Sequence, residues 1–199
     1  MPRLLATAIF ILFTGLSSAL PAAADTPPAE FVRGLGNEAL GVIRADMPAA
    51  QKQGFFHQLL EQNFDLPGIV HFMLGPHWRT ASEPEKQEFL RLFEDHIVRI
   101  YSERFAQYRG ETLRVTGSRA DPEDALVTSE IVRPRGARPI NIDWRLTAGR
   151  GLYKISDVII DGVSMGATER SEVTAIIQRS GGQVQGLLAT MREQTGALR

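Results

Sequence analysis

The stretch Ile140-Asn141-Ile142-Asp143-Trp144-Arg145-Leu146-Thr147 alternates apolar and polar residues without exception. A period of two marks a β-strand with one buried face and one wet face. Ile142 and Trp144 then point inward, and Asn141, Asp143 and Arg145 face water. Working outward, Gly149-Arg150-Gly151 reads as a hairpin loop, and Leu152 to Ile160 as a further strand. On the other side, Pro134-Arg135-Gly136 opens a loop that Pro139 closes. Before it, Val127, Ser129 and Ile131 share one face of a strand. The turn Asp121-Pro122-Glu123-Asp124 separates that strand from one carrying Leu113 and Val115. Four strands on short connections form an antiparallel meander.

Upstream the period lengthens. Phe89, Phe93, Ile97, Tyr101 and Phe105 recur every fourth residue, with Leu92, Ile100 and Tyr108 beside them. That is one broad face of a long helix. Ser82 and Glu85 form its capping box, Pro84 sits in its first turn and Gly110 ends it. Phe31, Leu35, Ala39, Leu40 and Ile43 mark a first helix. Pro48 opens a second, with Phe55, Phe56, Leu59 and Leu60 on one side. Asp65 caps a short third that stops at Gly75-Pro76. Helices return over about 168–180 and 183–195, split by Gly181-Gly182. Helices, then strands, then helices is the α+β class, with the helices packed on a mainly antiparallel sheet of about four strands.

The N-terminus has a different character. Arg3 precedes an apolar run from Leu4 to Leu20, followed by Pro21 and Ala22-Ala23-Ala24. This is the layout of a secretory signal peptide over residues 1–24, with cleavage expected after Ala24. Residues 25–199 then form one exported domain, most simply in a bacterial periplasm. No cysteine is present, so disulfides, thiolate metal sites and lipoprotein anchoring are excluded. The net charge of −1 lacks the basic excess that nucleic-acid binding requires.

Catalytic signals are thin. Gly162-Val163-Ser164-Met165-Gly166 matches the G-x-S-x-G nucleophile elbow, between a strand and a helix. That machinery places its histidine after the serine, whereas the last histidine here is His96. A hydrolase using Ser164 is therefore the weakest alternative. His57, His71, His77 and His96 show no H-E-x-x-H pattern and read as no metal site. No phosphate-binding glycine motif occurs, and neither an enzyme nor a cofactor is indicated. What remains is a set of apolar stripes, which would equally fill an ordinary core.

Several segments, in order, carry a more specific signal. They are Asn63-Phe64-Asp65-Leu66-Pro67-Gly68-Ile69, Leu74-Gly75-Pro76-His77-Trp78-Arg79, Tyr101-Ser102-Glu103-Arg104-Phe105, Tyr108-Arg109-Gly110-Glu111 and Ile155-Ser156-Asp157-Val158-Ile159-Ile160-Asp161-Gly162-Val163-Ser164. With them the chain resembles the MlaC (toluene-tolerance auxiliary) family of periplasmic lipid carriers over roughly residues 30–193. The resemblance implies a curved sheet and helices enclosing an apolar cavity for acyl tails. It implies a shuttle carrying phospholipid between an outer-membrane lipoprotein complex and an inner-membrane ABC transporter with its lipid-binding ring subunit. A sleeve answers a physical need, since one sixteen-carbon tail gains on the order of 12 kcal/mol by burial, at about 0.8 kcal/mol per CH₂.

Periodicity then nominates the lining. The helices supply Phe64, Ile69, Phe72, Leu74, Phe93, Ile97 and Tyr101, and the sheet side Val127, Ile131, Ile142, Trp144, Val158, Ile160 and Val163. Departures from the usual family pattern occur at Tyr153, Thr168-Glu169-Arg170 and Val173. They keep a rigid polycyclic lipid, a hopanoid, open as an alternative cargo. A periplasmic adaptor with a filled core, binding no lipid, is the alternative from another class.

Overall fold

A computed structural model describes residues 27–120, 124–149 and 152–196. The leader at 1–24, the first three residues of the Asp121–Asp124 turn and the Arg150-Gly151 tip of the last long hairpin lie outside the described residues. Four helices come first: α1 (Pro28–Arg44), α2 (Ala49–Asn63), α3 (Leu66–Leu74) and α4 (Glu83–Phe105), with a 3₁₀ turn at Gly75–Arg79. Then come β1 (Thr112–Ala120), β2 (Asp124–Val132), β3 (Ile140–Gly149), β4 (Leu152–Ile160) and the two-residue β5 (Val163–Ser164). Helices α5 (Met165–Arg179) and α6 (Val184–Gly196) close the described chain. The class is α+β.

Side-chain caps set several helix starts. Asp65 accepts from the Gly68 N–H, and Ser82 and Glu85 complete a reciprocal capping box. α4 ends at Phe105, earlier than the Gly110 stop expected from its stripe. Tyr108 has left the stripe, because Arg44 Nε donates to its hydroxyl at 2.8 Å and stacks its guanidinium 5.6 Å from the ring. α5 begins at Met165, earlier than expected, because Ser164 accepts from the Ala167 N–H and caps it.

The sheet runs β1-β2-β3-β4-β5, all neighbours antiparallel. The fifth strand adds to the four expected: Asp161 and Gly162 turn the chain in left-handed conformations (φ 46° and 85°) and return it along β4. Register places Val127 opposite Trp144 and Trp144 opposite Val158. The next row is Ser129, Ile142 and Ile160. Two bulges, near Val115/Gly117 and Arg145/Leu146, bend the strands. The second keeps Leu146 opposite Ile155 on the inner side. The outer face is wet, with Arg114 paired to Glu130 at 2.7 Å.

Helices cover the inner face unevenly. α1 packs on β1 and β2, while α2, α3 and α5 reach β4. Under them Val127, Leu146 and Ile155 are fully buried together with Val32. A second cluster joins α3, α4, α5 and α6 around Phe89, Met73, Leu74, Ile177 and Leu188. Phe64 packs against both clusters. The chain at Phe64 forms a parallel bridge with Ile155, and the Asp65 N–H donates to the Ile155 carbonyl at 2.9 Å. Lys154 Nζ donates to the carbonyls of Glu61 and Gln62 at the end of α2.

Candidate functional site

The inner face of β2, β3 and β4 gathers six of the seven sheet residues nominated from periodicity. Val127 and Ile142 are buried, while Ile131, Trp144, Val158 and Ile160 are only half-buried. The Trp144 indole Nε1 donates to Ser129 Oγ at 2.8 Å. Ser129 is itself buried, and its hydroxyl donates to the Ile142 carbonyl at 3.1 Å. That pair lets an otherwise apolar surface carry two polar groups, both satisfied. Toward the β2–β3 end, Ile131, Ile140 and Ile160 remain half-buried. Val163 departs from the expected lining. It sits opposite Ile160 on the short edge strand, 55% exposed.

On the helical side, Leu74 and Phe93 are buried, and Ile69 and Ile97 pack against the same cluster. Tyr101 lies 6.0 Å from the Phe105 ring, and burial pushes its hydroxyl above its ordinary pKa. Phe72 also departs from the expected lining, at 47% exposed. α3 buries Leu66, Val70, Met73 and Leu74, which leaves Phe72 off that face. Its ring instead carries the Arg170 guanidinium 4.8 Å from its centroid.

Sequence reading missed a cavity of about 500 Å³ among α3, α4, α5 and α6. Met73, Phe89, Phe93, Val173, Ile176, Leu187 and Met191 supply its apolar wall. His96, Arg99, Glu169, Glu172 and Gln194 supply the polar part. Of the nominated residues only Phe93 reaches it. The signal was present in Val173 and Ile176, and in Leu187 and Met191, at helical spacing on the last two helices. Burial holds His96 below its ordinary pKa, helped by Arg99 and opposed by Glu172. Burial also raises Glu169, and Glu172 adds to the effect. In both side chains burial disfavours the charged form.

Two clusters invite chemical readings. His57 on α2 sits between Glu61 (Nδ1, 3.6 Å) and Glu94 of α4 (Nε2, 3.8 Å). The imidazole turns a different nitrogen to each carboxylate, and one ligand atom from each of the three side chains lies within 4.8 Å of the others, a spacing that could hold a metal ion and is also common among exposed acidic groups without one. Ser164 Oγ donates to Asp157 Oδ2 at 2.7 Å and accepts from Ala167 N–H. Asp157 Oδ1 accepts from Gly166 N–H at 3.0 Å. The G-x-S-x-G match is thus a strand-to-helix cap, and among the described residues no histidine hydrogen-bonds its serine.

Known proteins resemble this chain in sequence and in fold. The phospholipid-binding protein of Ralstonia solanacearum, solved in complex with a phospholipid, superposes with a TM-score of 0.74. The match covers 85% of this chain and 97% of that one at 23% identity, a likeness of fold. The toluene tolerance protein ttg2D of Pseudomonas putida is 24% identical over 169 residues, 81% of this chain and 78% of that protein. The intermembrane phospholipid transport system binding protein MlaC of Haemophilus influenzae is 20% identical over 168 residues, 80% of this chain and 78% of that protein. The family model for MlaC protein matches residues 35–193, and the chain belongs to that family.

Proposed function

We propose that this protein is a soluble phospholipid carrier of the periplasm, exported by its N-terminal leader. The observation that carries the reading is the incompletely covered apolar inner face: Ile131, Ile140, Trp144, Val158 and Ile160 are half-buried beside a fully buried core. Leaving such a surface in water costs roughly 25 cal/mol per Å². An acyl chain laid along it removes that cost. Family membership and the phospholipid named for two of the relatives support the same cargo.

In this reading the chain binds, orients and releases lipid and performs no bond chemistry. It exchanges cargo with an inner-membrane ABC transporter and its lipid-binding ring subunit, and with an outer-membrane lipoprotein complex. Native mass spectrometry and lipid extraction of the purified protein test this directly. A stoichiometric co-purifying phospholipid is the expected result. Its absence, with no transfer of lipid between vesicles, overturns the carrier reading, and extraction of a hopanoid in its place overturns the phospholipid assignment.

A further inference from the structure

The β2–β3 connection is rich in arginine. Arg133, Arg135 and Arg138 are all exposed within six residues. Arg109 joins them, because Thr112 pairs with Val132 and brings the start of β1 alongside the loop. None of these four forms an ion pair among the described residues. Two carboxylates stand nearby: Glu111, which accepts from the Arg109 N–H and interacts electrostatically with Arg109 and Arg133, and Asp161, which accepts from Asn141, so the four arginines outnumber them. A chain of net charge −1 therefore carries one end that is locally positive.

Arg135 adds a second, independent observation. It holds φ 61° and ψ 26°, followed by Gly136 at φ 70°. The left-handed region penalises any residue with a β-carbon, and glycine would sit there more easily. The fold nonetheless sets an arginine at the tip. Directly behind the loop lie Ile131 and Ile140, paired at the open end of the half-covered inner face.

We infer that this arginine loop docks the protein on the surface of an anionic bilayer, with the open end of the apolar face turned toward the lipid. The inference rests on the carrier reading for its purpose. A guanidinium matches phosphate in a fork of parallel hydrogen bonds, so phospholipid headgroups fit these side chains. The incompletely covered isoleucines beside the loop favour a lipid surface over an acidic protein. Each basic residue near an anionic membrane strengthens association about fivefold. A few such residues give a contact that forms readily and releases, as a shuttle needs.

The test is co-sedimentation of the full mature chain with vesicles of phosphatidylglycerol and phosphatidylcholine, against pure phosphatidylcholine. The wild type should bind only the anionic vesicles, and less as salt rises. The triple variant Arg133→Gln, Arg135→Gly, Arg138→Gln should bind roughly a hundredfold more weakly, at about fivefold per arginine. Arg135→Gly alone relieves the strained turn, so its weaker binding cannot be blamed on unfolding. Wild type that ignores anionic vesicles, or a triple variant that binds them equally, overturns the inference. So does a loop that engages only an acidic protein surface. Bound lipid is measured in the same samples, so a chain empty of lipid would defeat the carrier reading while the vesicle result still decides the docking.

Discussion

Trp144 and Ser129 lock β3 to β2 across the inner face: the indole N–H donates to a hydroxyl that is itself buried, at 2.8 Å. Removing either group leaves the other short of a partner, although the Ser129 hydroxyl keeps its bond to the Ile142 carbonyl. Ser129→Ala strands the indole N–H and should cost about 1–3 kcal/mol in urea unfolding. Trp144→Phe removes the donor but keeps the ring. The double variant should lose less than the two single losses added together, because its second change removes a group already orphaned. Strict additivity would show that the hydrogen bond carries no energy.

The same tryptophan tests which strand face meets lipid. Trp144→Arg puts a charge among half-buried apolar side chains, while Arg145→Ala alters the neighbouring residue on the exposed face of β3. Native mass spectrometry of the folded variants should show loss of phospholipid only for Trp144→Arg. Equal retention by both would remove this face from the site.

How much of this was legible depends on the kind of signal. Strand β3 declared itself because its alternation is unbroken, and Asp65 and Ser82 declared two helix starts because capping is local chemistry. Phe72 misled because α3 is apolar nearly all round, so periodicity cannot say which of Ile69, Val70, Phe72 and Met73 turns outward. The α4–α6 cavity was hidden for another reason. Its polar members, His96, Arg99, Glu169 and Glu172, come from two helices about seventy residues apart and meet only through the tertiary packing that shapes cavities in general. The bulge at Arg145/Leu146 did leave a trace: Ser156 is the extra residue of β4, and the inward set slips from Tyr153 and Ile155 to Val158 and Ile160, while β3 keeps its alternation unbroken.

Lys154 makes a prediction about the joint between layers. Its ammonium group donates to two carbonyls at the end of α2, beside the point where Asp65 N–H bonds Ile155. A cation at a helix C-terminus is favourable, so Lys154→Met should cost about 0.5–1 kcal/mol. The local effect should exceed the global one. Hydrogen exchange at the Asp65 amide should speed up more than exchange at Leu146 in the buried sheet. A uniform change across both amides would mean the lysine is not a joint.

Ser164 separates a helix cap from a nucleophile. Replacing a capping serine by alanine costs about 0.5–2 kcal/mol, so Ser164→Ala should lower the unfolding midpoint measurably. Asp157 would then lose its hydroxyl donor and keep only the Gly166 amide. Lipid content should be unchanged in the folded variant. An ester-hydrolysing activity in the wild type that vanishes in Ser164→Ala would revive the hydrolase.

Glu169 gives the cavity a pH signature whose sign follows from its burial. Its carboxyl is held above the ordinary value, first by burial and then by Glu172. A raised folded pKa means that Glu169 favours the folded state only while protonated. That contribution is present below the unfolded pKa and is lost as pH rises through the folded one. Glu169→Gln keeps the shape and cannot ionise. The variant should therefore unfold at higher urea than wild type at neutral pH, with the gap closing below the ordinary glutamate range. His96 runs the opposite way. Its folded pKa is depressed by burial and Arg99, so its contribution is present above the ordinary histidine value and is lost as pH falls through the folded one. His96→Gln should accordingly blunt the loss of stability on acidification and leave the Glu169 gap at neutral pH intact. Urea midpoints across that range decide the matter, and a Glu169→Gln variant no more stable than wild type at neutral pH would show that the cavity admits enough water to solvate the charge.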